Sequence, residues 1–181
     1  VLLARDQDVP VVSVAGIVQH PLNSVMTLKS SGIVRPRDLV GKLVGYPGIP
    51  TDPPLLRTML VADGVSPAEA NALVDRMVNV GFALVPALIS ERVAAVVGAY
   101  WTHESISAEN QGYPLNILRM EHFGVPDFYE LVLVTGESTI REDPELVQSF
   151  VQALVLGYRD AMEDPQGAID TLSLIHISEP T

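Results

Sequence analysis

Apolar residues along the chain gather into short runs separated by Gly, Pro and polar residues, and the spacing within each run predicts an element. Val9 to Val18 (VPVVSVAGIV) is nearly continuous and rich in valine, which predicts a strand buried on both faces. Gln19 to Ser24 breaks it, and Val25 to Lys29 resumes as a second, shorter strand. Leu43 and Val44 then run into Gly45-Tyr46-Pro47-Gly48, after which Thr51-Asp52-Pro53 opens a pattern with Leu55, Leu56, Met59 and Leu60 at helical spacing. That reads as strand, loop and helix, with Thr51 as N-cap and Pro53 and Pro54 in a first turn that needs no amide donor. The loop is either a place to hold a ligand over free helix-start amides or an ordinary turn between a strand and a helix.

Further on, Ala62-Asp63-Gly64 ends this helix and Ser66-Pro67-Ala68-Glu69 has the form of a capping box. Val74 to Val80 reads as a strand, Phe82 to Ser90 as a helix with Leu84, Val85, Leu88 and Ile89 inward, and Val93 to Ala99 as another buried strand. A turn at Gln111-Gly112-Tyr113-Pro114 precedes a strand from Leu115 to Met120. Tyr129 to Val134 is a further strand, Ser138 starts a turn, and Pro144 to Met162 is a long helix beginning at Asp143-Pro144-Glu145. Strands alternating with helices at these lengths predict a mainly parallel, three-layer α/β unit with ligand positions at strand C-terminal ends. Three such ends follow Val44, Asn79 and Ala99. Polar connections at 30–37 and 121–127 are the candidate lobe boundaries.

The composition narrows the function classes. The 181 residues are 48% hydrophobic, enough for a real core. Asp and Glu outnumber Lys and Arg by 22 to 11, with a net charge of -11, and no basic stripe exists, which argues against nucleic acid as a partner. No run of about 18 apolar residues is present to span a bilayer, and the chain contains no cysteine. At the amino end, Val1 to Arg5 joins the first strand-like run without a signal-peptide n-region, so the start is expected to lie inside a longer chain. Leu172 to Thr181 (LSLIHISEPT) resembles the translation of an adapter used in sequencing libraries and is set aside from fold reasoning, so His176 receives no role.

The best candidate for site chemistry is Tyr100-Trp101-Thr102-His103-Glu104, directly after a buried strand. Two aromatics and a carboxylate could stack on a flat, nitrogen-rich ring and accept its amine hydrogens; equally, Trp101 could cap the core and Glu104 begin a helix. His20, His103 and His122 with Glu104 and Glu121 lack metal-ligand spacing, so no metal or cofactor is expected. No GxSxG elbow, GxGxxG or phosphate-binding loop is present, and neither Lys29 nor Lys42 suggests a Schiff base.

The stretches QHPLNS, GKLVGYPG, VNVGFALVPAL, VVGAYWTHE and GVPDFYELVLVT, in that order, together resemble periplasmic solute-binding proteins of ABC transporters. The group is the one that binds thiamine pyrimidine precursors and aliphatic sulfonates, and the resemblance covers about residues 1 to 171. It implies a type II periplasmic binding fold, two three-layer α/β lobes on a two-stranded hinge that close on ligand, with the first lobe incomplete here. The expected division is 1–37 for part of lobe I and the first crossover, 38–123 for lobe II, 124–171 for the return to lobe I, and 172–181 for the non-native tail. Carried over by position, Tyr46, Pro47 and Gly48 match the ligand-facing loop, Trp101 and Glu104 the aromatic and carboxylate of the pyrimidine-binding branch, and Tyr129 would look in from the other lobe. Ala83 departs from relatives that carry Asp there. The implied ligand is a pyrimidine-like heterocycle, with sulfonates, taurine or riboflavin as alternatives. The implied partners are the importer's membrane permease subunits, with the full-length protein a monomer, periplasmic or lipid-anchored outside the cell. A pyrimidine synthase of thiamine biosynthesis shares the family; it would need catalytic His and Cys residues and a cofactor lysine, so no enzyme is expected.

Overall fold

A computed structural model describes residues 1–176 of the chain; residues 177–181 of the expected tail lie outside the described residues. In chain order the elements are α1 (Leu2–Asp6), β1 (Val11–Val18), β2 (Asn23–Leu28), β3 (Val44–Tyr46), α2 (Asp52–Ala62), α3 (Pro67–Val74), β4 (Val78–Asn79), α4 (Leu84–Ile89), β5 (Ala95–Tyr100), α5 (Glu104–Asn110), β6 (Leu115–Arg119), β7 (Leu131–Gly136), α6 (Glu137–Glu142), α7 (Pro144–Glu163) and α8 (Pro165–His176). The chain divides into two compact units, one of Val1–Ile17 with Val132–Thr181 and one of Val18–Leu131.

The unit of residues 18–131 holds a five-stranded sheet in the order β4-β3-β5-β2-β6. β3 runs parallel to both β4 and β5, whereas β2 is antiparallel to β5 and β6. The sheet is therefore mixed, where strand–helix alternation alone predicted a mainly parallel one. The reason is that β2 enters from outside the alternating series and reaches β6 only after the whole series is complete. Side chains on successive strand positions point to opposite faces. Val25 and Val97 accordingly join a core with Val44, Leu56, Met59, Leu60 and Leu73 under α2 and α3. Met26 and Val96 join a second core with Leu84, Val85, Leu88 and Ala108 under α4 and α5. Helices on both faces make this unit three-layered.

The two compact units divide at 17/18 and 131/132, outside the polar connections at 30–37 and 121–127. Both polar connections are short 3-10 turns, Pro36–Leu39 and Met120–Phe123, packed into this unit, with Leu39 and Met120 fully buried. Asp63, just past α2, secures the first of them. Its carboxylate accepts from Arg35 Nε at 3.0 Å and from the Arg37 amide at 2.8 Å, and its carbonyl accepts from Arg37 Nε at 2.9 Å.

Local differences from expectation have local causes. Val74 ends α3 instead of starting a strand, and β4 is only Val78–Asn79; the apolar residues of VDRMVNV serve a helix end and then an edge strand. Thr51 stands at the N-cap of α2 without a side-chain cap. Ser66 does cap α3, its Oγ accepting from the Glu69 amide at 3.3 Å.

In the other unit, Leu2–Asp6 is helical where a strand-like start was expected. β1 and β7 form a two-stranded sheet. None of β1 is fully buried, against the expectation of a strand covered on both faces, because one partner strand shields little of it. β7 starts at Leu131, not Tyr129, and the expected turn at Ser138 is the helix α6. Asp143 caps α7, its Oδ1 accepting from the Leu146 amide at 2.9 Å.

Candidate functional site

The parallel strands β3 and β5 end side by side, and the antiparallel β2 begins there, with Asn23 opposite Tyr100. The loop after β3, the first residue of α2, the end of β5 and the first turn of α5 thus converge on one edge of the sheet. The chain makes room for this convergence at Gly98. Across the β2–β5 pair, Ser24 faces Ala99 while Val25 faces Val97, so Gly98 is the extra residue of a β-bulge. Its φ is +88°, which glycine alone adopts without strain. Pro47 and Asp52 sit so close that a Cβ there would lie 2.6 Å from Pro47 Cδ and 2.7 Å from Asp52 Oδ2.

Three carboxylates surround Tyr100. Its hydroxyl donates to Glu130 Oε1 at 3.2 Å, and its amide donates to Glu104 Oε2 at 2.7 Å. Glu130 Oε2 also accepts from the amides of Leu22 at 3.1 Å and Asn23 at 3.3 Å. Burial first, and then the charge of Glu130, pushes the Tyr100 hydroxyl up to about 12, so it stays a neutral donor. Asp52 is completely buried; its Oδ1 accepts from Asn23 Nδ2 at 2.9 Å. Burial raises its carboxyl above the ordinary range, the Asn23 bond opposes that, and the Glu130 charge adds to it. This edge is acidic, and its neutral donors are already engaged with its own carboxylates.

Of the residues expected to contact ligand, Tyr46 closes β3 half-buried, with its carbonyl bonded to the Val80 amide at 2.9 Å. Pro47 is buried against Gly98, and Gly48, at φ +93°, lies against the Asn79 side chain. Glu104 opens α5 and binds the Tyr100 amide, so it belongs to the cluster. Trp101 is placed differently. Its Nε1 donates to the Pro21 carbonyl at 3.0 Å, the Arg119 guanidinium stands 4.5 Å from its ring centroid, and it packs on the core beneath α4 and α5. Tyr129 is exposed in the same unit, not in the other one, and lines a recess of about 250 Å³ with Gln19, His20, Asp127 and Phe128. Its neighbour Glu130 makes the contacts to the cluster. Ala83 stands just before α4 and makes no side-chain polar contact. No three potential ligands are placed to hold a metal ion among the described residues; Glu104 and Glu130 meet Tyr100 at its amide and at its hydroxyl.

Sequence reasoning missed Asn23, Asp52 and Glu130. Asn23 stands in the polar stretch from Gln19 to Ser24, Asp52 in the turn that opens α2 and Glu130 in the connection ahead of β7, so each reads as a polar residue at an element end and local polarity carries no signal of their contacts.

A family model described as NMT1/THI5 like matches residues 1–168. The chain is 40% identical over 172 residues to a formylaminopyrimidine-binding protein of Halalkalibacterium halodurans, covering 95% of this chain and 51% of that one. It is 25% identical over 174 residues to a 4-amino-5-hydroxymethyl-2-methylpyrimidine phosphate synthase of Schizosaccharomyces pombe, covering 91% of this chain and 48% of that one. Among solved structures, the periplasmic aliphatic sulphonate binding protein SsuA from Escherichia coli matches with a TM-score of 0.65 at 16% identity, over 90% of this chain and 53% of that one. That likeness shows the fold, the α/β architecture of type II periplasmic binding proteins expected from the sequence. The chain spans about half the length of the curated relatives it matches.

Proposed function

Because the chain belongs to the NMT1/THI5-like family, we propose that it is the solute-capturing part of an ABC importer whose ligand is a small amine-bearing pyrimidine. The observation that carries this reading is the acidic ring about Tyr100 at one sheet edge, Glu104 at its amide and Glu130 at its hydroxyl, with Asp52 buried behind them. An aminopyrimidine offers amine hydrogens that carboxylates accept through strong, charge-assisted bonds. A sulfonate offers only acceptors and negative charge, and the same ring repels it. The relative named for formylaminopyrimidine binding supports this choice.

In this reading Glu104 takes the exocyclic amine, and Tyr46, Pro47 and Gly48 form the loop beneath the ring. Trp101 and Tyr129 flank the site, Trp101 by its edge, since Arg119 covers a face of the indole. Binding alone accounts for these groups; no bond is made or broken. Synthase chemistry built on a cysteine would have to draw that residue from outside these 181, none of which is cysteine. The partners are membrane permease subunits of the importer, and the site of action is the periplasm or the outer face of the cell membrane. Among the described residues no helix is long and apolar enough to cross a membrane.

The test is a thermal-shift panel on the complete gene product with aminopyrimidine precursors, thiamine, riboflavin, taurine and aliphatic sulfonates. Ligand at 100-fold over its dissociation constant adds about 2.7 kcal/mol of stability. A shift with aminopyrimidines is expected; a shift confined to sulfonates or riboflavin would overturn the ligand class.

A further inference from the structure

Asp52 is unexplained by the fold. It is completely buried, it belongs to none of the ion pairs among the described residues, and its Oδ2 has no hydrogen-bond partner. Thr51 holds the N-cap position of α2 without a side-chain bond, and Asp52, the first helical residue, adds negative charge to the first turn, but its one hydrogen bond is to Asn23 instead of to a helix-start amide. A buried acid with one hydrogen bond is a costly choice where an apolar residue of similar volume would pack.

The single bond indicates what the cost supports. Asn23 Nδ2 donates to Asp52 Oδ1 at 2.9 Å, and Asn23 Oδ1 accepts from the Gly98 amide at 3.0 Å. Gly98 is the bulged residue of β5, so its amide falls outside the β2–β5 ladder and needs another acceptor. A carboxamide can present either its oxygen or its nitrogen to such an amide. With Asp52 Oδ1 accepting on one side, the Asn23 nitrogen is held there and the oxygen is left facing Gly98. Two residues beyond the bulge is Tyr100, whose amide bonds Glu104 and whose hydroxyl bonds Glu130, and Glu130 in turn accepts from the Asn23 amide. The bonds form a continuous path from a buried acid to the carboxylate assigned to the ligand.

We propose that Asp52 is a positioning residue of the ligand site: by orienting the Asn23 carboxamide it locks the Gly98 bulge and so aims Tyr100 and Glu104. This rests on the reading that the ligand meets the protein at this edge. Asp52 touches no ligand itself. An asparagine in its place keeps the acceptor, and an alanine removes it.

The experiment has a readout that needs no ligand. Amide hydrogen exchange is followed at Gly98 in the complete gene product for wild type, Asp52→Asn and Asp52→Ala, alongside calorimetric titration with an aminopyrimidine. Loss of one hydrogen bond corresponds to about tenfold, so Asp52→Ala is expected to speed Gly98 exchange and weaken binding by about that factor. Asp52→Asn should stay within about threefold of wild type in both. The proposal is overturned if Asp52→Ala matches wild type, or if Asp52→Asn loses as much as Asp52→Ala. Should Asp52→Ala not fold, wild type decides: protection of Gly98 like that of ladder amides supports the lock, and free exchange overturns it. If exchange responds as expected but wild type ignores aminopyrimidines, the lock stands and the ligand assignment falls.

Discussion

Replacing Gly98 by alanine tests the arrangement of the site edge with the least ambiguity. Two penalties act there. The left-handed backbone, φ +88°, costs a residue with a Cβ about 1 kcal/mol. The new Cβ would also lie 2.6 Å from Pro47 Cδ, 2.9 Å from Pro47 Cγ and 2.7 Å from Asp52 Oδ2. Neither neighbour is the loose end of a flexible side chain: Pro47 is a ring in a buried turn, and Asp52 is fully enclosed. Forced overpacking of this kind adds about 2 kcal/mol, for a total near 3 kcal/mol. Gly112 supplies the control. Its φ is +85°, but nothing lies within 4 Å of where its Cβ would stand, so Gly112→Ala should carry only the backbone penalty, about 1 kcal/mol. Urea unfolding of both variants, monitored by circular dichroism, gives the difference, expected at about 2 kcal/mol. Equal losses, within about 0.5 kcal/mol, would show that Pro47 and Asp52 do not crowd Gly98 and would refute the packing of this edge.

Asp63→Asn should destabilise the protein by about 2 kcal/mol, read as a lower urea midpoint, because it removes a nearly buried acceptor of several hydrogen bonds. The Asp63 carboxyl is held below its ordinary range, first by the Arg35 hydrogen bond, so its contribution is complete above the ordinary carboxylate pKa and is lost as pH falls through the lowered value. Unfolding followed down from about pH 5 should therefore show a shallower acid slope in the variant than in wild type. The isolated chain should self-associate at micromolar concentration, since Leu146, Phe150, Leu156 and Met162 of α7 are all more than half exposed. Sedimentation velocity checks this, and a single monomeric boundary would contradict it.

The parts of the fold legible in the sequence were those set by local pattern. The strand–loop–helix at Val44–Ala62 has its apolar positions on either side of the Gly45-Tyr46-Pro47-Gly48 break, and the structure follows that order, with the strand running on through Tyr46. Strand direction was not legible. β2 looks like any buried strand, and only the return of the chain through β6 makes it antiparallel to β5. The polar segments at 30–37 and 121–127 look like linkers because local polarity does not reveal that Arg35 and Arg37 are anchored to Asp63, nor that Met120 is buried. At the candidate site, the sequence singled out the strand end at Tyr100 and Glu104, where the structure brings Glu104 and Glu130 onto Tyr100. It pointed at Trp101 over Tyr100 because the larger aromatic is the more obvious stacking surface, whereas the structure commits that ring to Arg119 and the Pro21 carbonyl. Asn23 and Asp52 lie 29 positions apart and meet only because a strand start and a helix start share one edge.

The measurement that bears most directly on the central claim is the calorimetric affinity of the complete gene product for an aminopyrimidine, compared between wild type and Glu104→Gln. The substitution keeps size and shape but replaces a charged acceptor by a neutral one, and a hydrogen bond to a charged group contributes about 2 kcal/mol, so the dissociation constant should rise about 30-fold, with the ligand-free melting temperature lowered only as far as the bond from the Tyr100 amide weakens. An unchanged affinity in Glu104→Gln, or no binding of aminopyrimidine by wild type, would contradict the assignment of this acidic edge as the ligand site.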